Sequence, residues 1–277
     1  MGERAHGRTL AMNELLAVLR EYRVIGTPPV AVGGITDDSR KVEGGDCFVA
    51  VPGLREDARR FVPEAVGRGA TLVLTEGEAL AMAVAQVLVP SARVALARAA
   101  GAYYGHPSRR LTVVGITGTN GKTTTSYLVE ALLQARGLPT GVIGTIQYGF
   151  GERIFPAGQT TPDALALQAM LASMYEDGIR GVAMEVSSHA LAQARVDELT
   201  FDVGVFTNLT QDHLDFHGTF DEYRRAKRRL FELLDCSSKP GRTAVVNTDD
   251  PNGAAMVRGL SVPVLTFPAP SCTHGFT

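Results

Sequence analysis

The chain has 277 residues, 45% of them hydrophobic and 20% charged, with a formal net charge of −2. This nearly balanced charge offers no general attraction for nucleic acid or an anionic membrane, so an anionic ligand would need a local site. The sequence has no apolar run near the ~20 residues of a membrane span, and its three cysteines have neither CxxC nor zinc-type spacing. We therefore expect a reduced, cytoplasmic, monomeric protein of two domains, with no nucleic-acid or membrane partner.

The first part of the chain, residues 1–107, is predicted to be a small α/β domain. A helix rich in alanine and arginine, 92–102, ends at Gly-His-Pro (105–107), because proline cannot continue a helical backbone. An apolar β-type run starts directly afterwards, so we place a domain boundary between residues 107 and 108. The other elements expected before this boundary are a loop at 36–40, strands at 46–51 and 70–74, and a helix at 62–68.

Strand and helix patterns alternate through the second part, residues 108–277. Such alternation is typical of a mostly parallel sheet with helices on both faces, in which ligands bind beyond the carboxyl ends of the strands. We therefore predict that the functional side chains directly follow strands. The expected strands are 113–117, 140–146, 181–186, 203–207, 243–247 and 262–267, and the expected helices are 123–136, 163–176, 221–234 and 252–258.

A glycine-containing turn between the first of these strands and the first helix carries the clearest functional signal. Residues 113–125 read Val-Val-Gly-Ile-Thr-Gly-Thr-Asn-Gly-Lys-Thr-Thr-Thr, although Ile116 occupies the first glycine position of the full phosphate-loop pattern. Glycines let backbone N–H groups point at phosphate oxygens beside a helix N-terminus, where Lys122 would pair with the β- and γ-phosphates and the Thr123 hydroxyl would bind Mg²⁺. The predicted nucleotide-phosphate site comprises Gly118, Thr119, Asn120, Gly121, Lys122, Thr123 and Thr124.

The phosphate loop alone does not separate GTPases, kinases and ligases, but four further segments narrow the choice. Together with the loop they resemble the Mur ligases, and within that family the UDP-N-acetylmuramoyl-tripeptide synthetases, in the same chain order. The third and fourth segments in combination are the most specific part of the resemblance. The segments are Ile-Thr-Asp-Asp-Ser-Arg-Lys (35–41), Thr-Thr-Pro-Asp (160–163), Met-Glu-Val-Ser-Ser-His (184–189) and Phe-Thr-Asn-Leu-Thr-Gln-Asp-His-Leu-Asp-Phe-His-Gly (206–218).

Three side chains in or after these segments are candidate metal ligands. The residues alone leave open a buried ion pair for Glu185, a solvated loop position for His213 and a basic helix face for Lys227. The resemblance implies that Thr123 and Glu185 bind magnesium, and that His213 and a carbamate on Lys227 hold a second magnesium ion. Carbamylation needs a neutral amine, which a buried or crowded lysine with a lowered pKa supplies. We expect the arginines around Lys227 to lower its pKa and to stabilise the carbamate. Lys122 and carbamylated Lys227 are the predicted catalytic residues.

The resemblance also assigns residues to a sugar-nucleotide substrate. Two positions depart from the family pattern: Gln159 stands where Asn or His usually precedes the threonine pair, and Asp57-Ala58 stands where an Asp-Gly dipeptide is usual. The implied substrate residues are Ser39 near the uridine, and Thr160, Thr161, Ser187, Gln193 and Arg195 at the muramoyl dipeptide.

The reaction that the resemblance implies is ATP- and magnesium-dependent amide-bond formation through an acyl phosphate. A third amino acid, diaminopimelate or lysine, would be added to UDP-N-acetylmuramoyl-L-alanyl-D-glutamate. We expect the third Mur ligase domain to be absent, which would leave 108–277 an incomplete central ATP-binding domain and the chain inactive alone. The alternatives are the sister ligase that adds D-alanyl-D-alanine, a folylpolyglutamate synthetase, a non-catalytic nucleotide-binding remnant, and a P-loop GTPase, although the sequence has no Asn-Lys-x-Asp guanine motif.

Overall fold

The chain divides into two units in the computed structural model, which describes residues 8–53 and 57–268. The first unit comprises residues 1–107 together with 163–173 and 194–198, and the second unit comprises the remainder. Each unit contains its own sheet. Within the described ranges no helix has both the length and the apolar character needed to cross a lipid bilayer.

A five-stranded sheet with flanking helices forms the first unit. Its elements are β1 (Leu10–Ala11), α1 (Met12–Leu19), β2 (Arg23–Ile25), β3 (Ala31–Val32), β4 (Ile35–Thr36), β5 (Cys47–Val49), α2 (Val62–Gly67), β6 (Leu72–Thr75), β7 (Ala85–Leu88) and α3 (Ala92–Tyr103). The strand order is β2-β7-β6-β5-β4, parallel except between β2 and β7, while β1 and β3 form a separate antiparallel pair. Every residue of β5, β6 and β7 is buried, as expected for strands covered on both faces.

An eight-stranded sheet forms the centre of the second unit. From residue 108 onward the elements are β8 (Thr112–Thr117), α4 (Lys122–Ala135), β9 (Thr140–Ile143), β10 (Gln147–Phe150), β11 (Arg153–Pro156), α5 (Ala164–Glu176), β12 (Gly181–Glu185), α6 (Ser188–Ala192), β13 (Val203–Phe206), α7 (Leu214–His217), α8 (Phe220–Asp235), β14 (Thr243–Asn247), α9 (Gly253–Val257) and β15 (Val264–Phe267). Residues 163–173, which include the start of α5, belong to the first unit.

The strand order of the second sheet brings four strand ends together. The order is β11-β10-β9-β12-β8-β13-β14-β15, and the six strands from β9 to β15 in that order are parallel. Because parallel strands end at the same edge, the residues that follow β9, β12, β8 and β13 are neighbours. The predicted mostly parallel α/β sheet is confirmed.

Helices cover both faces of this sheet. Val114 and Ile116 of β8 belong to an apolar cluster that includes Val129 of α4. The residue between them, Gly115, points to the other face, where an added Cβ would lie 3.0 Å from the Leu230 side chain of α8. Alternate residues of one strand therefore pack against different helices, and the prediction of helices on both faces is confirmed.

The prediction of a strand over 140–146 is wrong in its last three residues. Strand β9 ends at Ile143, the chain bends at Gly144 and Thr145, and an unpredicted antiparallel hairpin, β10 and β11, follows. Ile146 extends the apolar pattern of the sequence but is 63% exposed. Smaller differences are a 3-10 helix at Ser39–Lys41 inside the predicted loop, strands shifted or shortened by one to two residues, and short helices α6 and α7 that were not predicted. Cys272 lies outside the described residues.

Candidate active site

Two glycines shape the turn between β8 and α4. Gly118 and Gly121 have φ angles of 154° and 84°, a region that residues with a Cβ seldom adopt. An added Cβ on Gly118 would also overlap the hydroxyl of Thr207, which follows β13. Lys122 is the first residue of the 14-residue helix α4, so the turn joins a strand end to a helix N-terminus, where anions are favoured.

Polar residues after β13 hold this turn in place. Thr207 Oγ1 donates to the carbonyl of Asn120 at 2.7 Å. The Asn208 side chain donates to the same carbonyl at 3.1 Å and accepts from the Asn120 N–H at 3.0 Å. Thr207 and Asn208 lie in segment 206–218, in which only His213 was predicted to be a site residue. Their hydrogen bonds to the Asn120 backbone hold the turn in this conformation.

Two lysine amines converge on the turn. Lys122 Nζ donates to the carbonyls of Gly118 and Thr119 at 2.9 and 2.8 Å, and Lys227 Nζ donates to the carbonyl of Gly118 at 2.6 Å. Burial lowers the pKa of Lys122, and the carboxylates of Glu185 and Asp212 partly oppose that shift. Lys122 thus places a positive charge beside the helix N-terminus, which suits a polyphosphate.

Lys227 is buried inside its basic helix and is not part of an exposed basic face. Its exposed fraction is 2%, and burial, followed by the charge of Lys122, lowers its pKa to about 7. The expectation that the surrounding arginines lower this pKa is wrong, because their charges are not among the causes. Arg224 and Arg225 instead pair with acidic residues one helical turn earlier, at 2.9 and 2.6 Å. Desolvation is therefore the larger cause of the lowered pKa of Lys227.

The Glu185 carboxylate lies at the end of β12 and is 1% exposed. Its Oε1 accepts from the Thr123 hydroxyl and from the Thr145 N–H, both at 2.9 Å. Its Oε2 accepts from the Thr145 hydroxyl at 3.1 Å. These hydrogen-bond donors are all neutral, and an electrostatic interaction with Lys122 adds to them, so the carboxylate oxygens keep lone pairs for a cation.

His213 lies on the Lys227 side of the turn. Its backbone is left-handed, with φ 51°, its side chain is 48% exposed, and its Nε2 lies 3.4 Å from a carboxylate oxygen of Asp212. The His213 ring is 4.8 Å from the His189 ring and 6.2 Å from the Tyr223 ring, centre to centre. Tyr223 in turn lies 3.2 Å, hydroxyl to hydroxyl, from Thr119, and its ring lies 4.5 Å from Lys227 Nζ. Neither His189 nor Tyr223 was selected from the sequence.

Three of the predicted substrate residues gather beside Glu185. The Thr161 hydroxyl donates to the Glu185 backbone carbonyl at 2.8 Å and accepts from the Ser187 N–H at 3.1 Å. The Thr160 hydroxyl lies 3.1 Å from the Thr145 hydroxyl. Of the other predicted substrate residues, Gln193 ends α6 in the second unit, whereas Arg195 and Ser39 belong to the first unit, where the Ser39 hydroxyl donates to Glu64 at 2.6 Å.

The residues around Glu185 fit a magnesium ion. Mg²⁺ takes oxygen ligands and is usually held by one or two carboxylates together with substrate phosphates. The carboxylate of Glu185 and the hydroxyl of Thr123 are already in contact and supply such oxygens. Within residues 8–53 and 57–268, no three His, Cys, Asp or Glu side chains form a group that could hold a metal. The protein oxygens available to such an ion here are those of Glu185 and Thr123.

Comparison with known proteins relates this arrangement to one family. A family model described as the Mur ligase middle domain matches residues 116–271. UDP-N-acetylmuramoyl-L-alanyl-D-glutamate--2,6-diaminopimelate ligase of Geobacter metallireducens is 44% identical over 261 residues, which cover 93% of this chain and 51% of the relative. A solved structure with the same ligase name matches with a TM-score of 0.75 and 32% identity, over 87% of this chain and 49% of the other.

A second solved structure, MurF ligase from Thermotoga maritima in complex with ADP, matches with a TM-score of 0.55 and 26% identity, over 84% of this chain and 50% of that one. The chain spans about half the length of the curated relatives that it matches. The family-model match covers more than half of this chain and includes Lys122, Glu185 and His213. The chain belongs to the Mur ligase family.

Proposed function

We propose that the second unit binds the triphosphate of ATP on the turn at residues 118–124. The contact between the Thr123 hydroxyl and the buried Glu185 carboxylate, at 2.9 Å, carries the proposal. It joins the first turn of α4 to a buried anion whose hydrogen-bond donors, in the part of the chain that the structure describes, are neutral. This is the donor chemistry of a magnesium–nucleotide site. Mg²⁺, when bound by Thr123 and Glu185, neutralises phosphate oxygens. Lys122 would exchange its two carbonyl partners for phosphate oxygens.

We further propose that the chain takes part in the reaction of a UDP-N-acetylmuramoyl-tripeptide synthetase. The names of its relatives support UDP-N-acetylmuramoyl-L-alanyl-D-glutamate as the acceptor and 2,6-diaminopimelate as the added amino acid. The D-glutamyl carboxylate attacks the γ-phosphorus of ATP and releases ADP. The amine of the amino acid then attacks the acyl carbon of the resulting acyl phosphate, and inorganic phosphate leaves through a tetrahedral intermediate. The amine gives up its proton as the amide forms.

The side chains of this chain would position the reactants. Phosphoryl transfer depends on alignment and on neutralising oxygen charge rather than on covalent help from the protein. Lys122 supplies the charge at the phosphates, and Thr160, Thr161 and Ser187 would hold the acceptor because they lie next to Glu185. Lys227, once carbamylated, would present an anionic oxygen beside Gly118 and, with His213, would hold the second magnesium ion.

The test of the nucleotide site is the Lys122→Ala substitution. We expect the affinity for ATP with Mg²⁺, measured by calorimetry on this chain, to fall about 10- to 100-fold, because charged hydrogen bonds contribute about 1.5–3 kcal/mol. Lys41→Ala is a matched control, since that lysine side chain is 75% exposed and lies in the first unit. Equal ATP affinity of the Lys122→Ala and wild-type proteins would overturn the proposal.

A second candidate function is the sister ligase that adds D-alanyl-D-alanine. A solved D-alanyl-D-alanyl ligase from Acinetobacter baumannii favours it, with a TM-score of 0.60 and 25% identity over 94% of this chain and 54% of the other. The two ligases differ in their acceptor, a UDP-muramoyl dipeptide for the tripeptide synthetase and a UDP-muramoyl tripeptide for the sister enzyme. Calorimetric titration of both precursors separates the candidates. We expect the dipeptide precursor to bind more tightly, and the reverse order would favour the second candidate.

A further inference from the structure

Gly144 and Thr145 pack directly against the Glu185 carboxylate, although neither residue belongs to the sequence motifs that predict the site. Thr145 contacts both carboxylate oxygens, Oε1 through its N–H at 2.9 Å and Oε2 through its hydroxyl at 3.1 Å. A Cβ on Gly144 would overlap Glu185 Oε1 and would lie 3.1 Å from its Cδ. The bend after β9 is thus shaped to receive this carboxylate.

The two contacts of Thr145 determine how the carboxylate is turned. A carboxylate held at one oxygen can rotate about its terminal bond, which has a broad energy profile. A donor at each oxygen removes that freedom. Oε1 is then kept directed at the Thr123 hydroxyl, 2.9 Å away, at the first turn of α4. Thr145 therefore fixes the orientation of the Glu185 carboxylate and the direction of its free oxygen lone pairs.

We propose that Thr145 is a positioning residue that orients Glu185 for a divalent cation shared with Thr123 and the nucleotide. The proposal rests on the proposed nucleotide and magnesium function of this site. Groups that orient metal ligands through hydrogen bonds commonly change metal affinity 10- to 100-fold when they are removed. Because Thr145 is exposed to solvent, its substitution tests this role without opening a cavity in the core.

The same hydrogen bonds determine the role of Thr160. An ionised carboxylate only accepts, so the single hydroxyl proton of Thr145 goes to Glu185 Oε2. In the contact between the two threonine hydroxyls, at 3.1 Å, Thr160 is then the donor. The Thr160 oxygen keeps its lone pairs and can receive a hydrogen bond from an N–H or O–H group of the acceptor substrate. Thr145 thereby links the orientation of Glu185 to that of Thr160.

The test compares metal and nucleotide affinity in Thr145→Val and Thr145→Ser. The probe is Mn²⁺ in place of Mg²⁺, followed by electron paramagnetic resonance on the ADP-saturated chain. We expect Thr145→Val to weaken Mn²⁺ binding about 10-fold or more, with unchanged ADP affinity in EDTA. Thr145→Ser keeps the hydroxyl and should keep wild-type Mn²⁺ affinity. Thr243→Val, which removes a hydroxyl bonded to the Gly241 carbonyl, is the matched control.

Gly144→Ala is a second variant that moves the carboxylate by steric overlap. It should also lose Mn²⁺ affinity, while its melting temperature without metal shows whether the fold persists. If wild type binds Mn²⁺ with ADP and Thr145→Val binds it equally tightly, the positioning role is overturned and the nucleotide site stands. If the wild-type chain binds neither ADP nor Mn²⁺, the proposed function itself fails. Loss of affinity in Thr145→Ser as large as in Thr145→Val would also contradict the hydroxyl's role.

Discussion

Lys122 and Lys227 donate to one and the same oxygen, the carbonyl of Gly118, at 2.9 and 2.6 Å. The two residues come from different helices, α4 and α8, and the second of them is buried to 2% exposure. Two ammonium groups this close repel each other, and the charge of Lys122 contributes to the lowered pKa of Lys227. An anion bound beside these two amines, or loss of a proton from one of them, would therefore remove the repulsion.

Stability should depend on pH through Lys227. The unfolded chain keeps this amine protonated up to its ordinary pKa of 10.5, whereas in the folded protein the pKa is about 7. Between these values the unfolded state binds more protons, so the free energy of unfolding rises with pH, by at most about 1.4 kcal/mol per pH unit from this group. Below pH 7 the contribution is constant, because both states are protonated.

The measurement for this prediction is urea denaturation of the wild type and Lys227→Met in CO₂-free buffers from pH 6 to 10. The neutral methionine lacks the titration, so the wild type should gain stability relative to the variant as pH rises above about 7. A constant difference across the range would contradict the lowered pKa of Lys227.

Carbamylation of Lys227 follows the same titration. The amine must be neutral to attack CO₂, and a pKa of about 7 makes it mostly neutral at pH 8. We expect a carbamate signal in ¹³C NMR when the chain is placed in ¹³C-bicarbonate at pH 8, and its disappearance below pH 6. Lys227→Arg should lack the signal. An equal signal in that variant would assign the carbamate to another amine.

Gly118→Ala should disrupt the phosphate turn. The added Cβ would overlap the Thr207 hydroxyl, which donates to the Asn120 carbonyl at 2.7 Å. We expect ATP affinity to fall at least 10-fold, because the backbone donors of the turn would be displaced. Gly158→Ala is the control, since a Cβ there meets nothing within 4 Å. Nucleotide calorimetry on both variants checks the prediction, and equal losses would point to a general effect on folding.

Lys239→Met should destabilise the second unit. Lys239 Nζ donates to Asp202 Oδ2 at 2.5 Å, and the same oxygen accepts from the Val113 N–H at 2.7 Å. Removing one partner of a largely buried ion pair leaves an uncompensated charge, so we expect a loss of about 2–3 kcal/mol in urea denaturation. In Asp202→Asn with Lys239→Met, the total loss should be smaller than the sum of the single losses. Additive losses would show that the pair is not coupled.

Local patterns indicated much of the fold and part of the site. The strand before the phosphate turn, its glycines and Lys122 are contiguous in the chain, and their chemistry depends on spacing over a few residues. The alternation of strands and helices likewise indicated a mostly parallel sheet, which the structure confirms. The end of strand β9 could not be predicted from the sequence, because Ile146 continues an apolar pattern although its side chain is exposed.

The sequence did not predict the cause of the lowered pKa of Lys227. From the sequence, the arginines beside it were expected to lower its pKa, because their charges are adjacent in the chain. In the folded protein Arg224, Arg225 and Arg228 pair with neighbouring acids, and the lowered pKa comes from burial under the turn and from nearby Lys122. Desolvation depends on which elements pack over a side chain, and sequence neighbours do not reveal this.

The chain's own order of residues thus specified a glycine turn that opens a helix, an apolar strand that ends in Glu185, and a basic helix around Lys227. Only the fold brings Thr145, 40 residues from Glu185, into hydrogen bonding with that carboxylate. It likewise brings Thr207, 87 residues from Asn120, into hydrogen bonding with the turn. The reason is the strand order β9-β12-β8-β13. It makes neighbours of strand ends that are far apart in the chain, and periodicity along the chain carries no information about which strands pair.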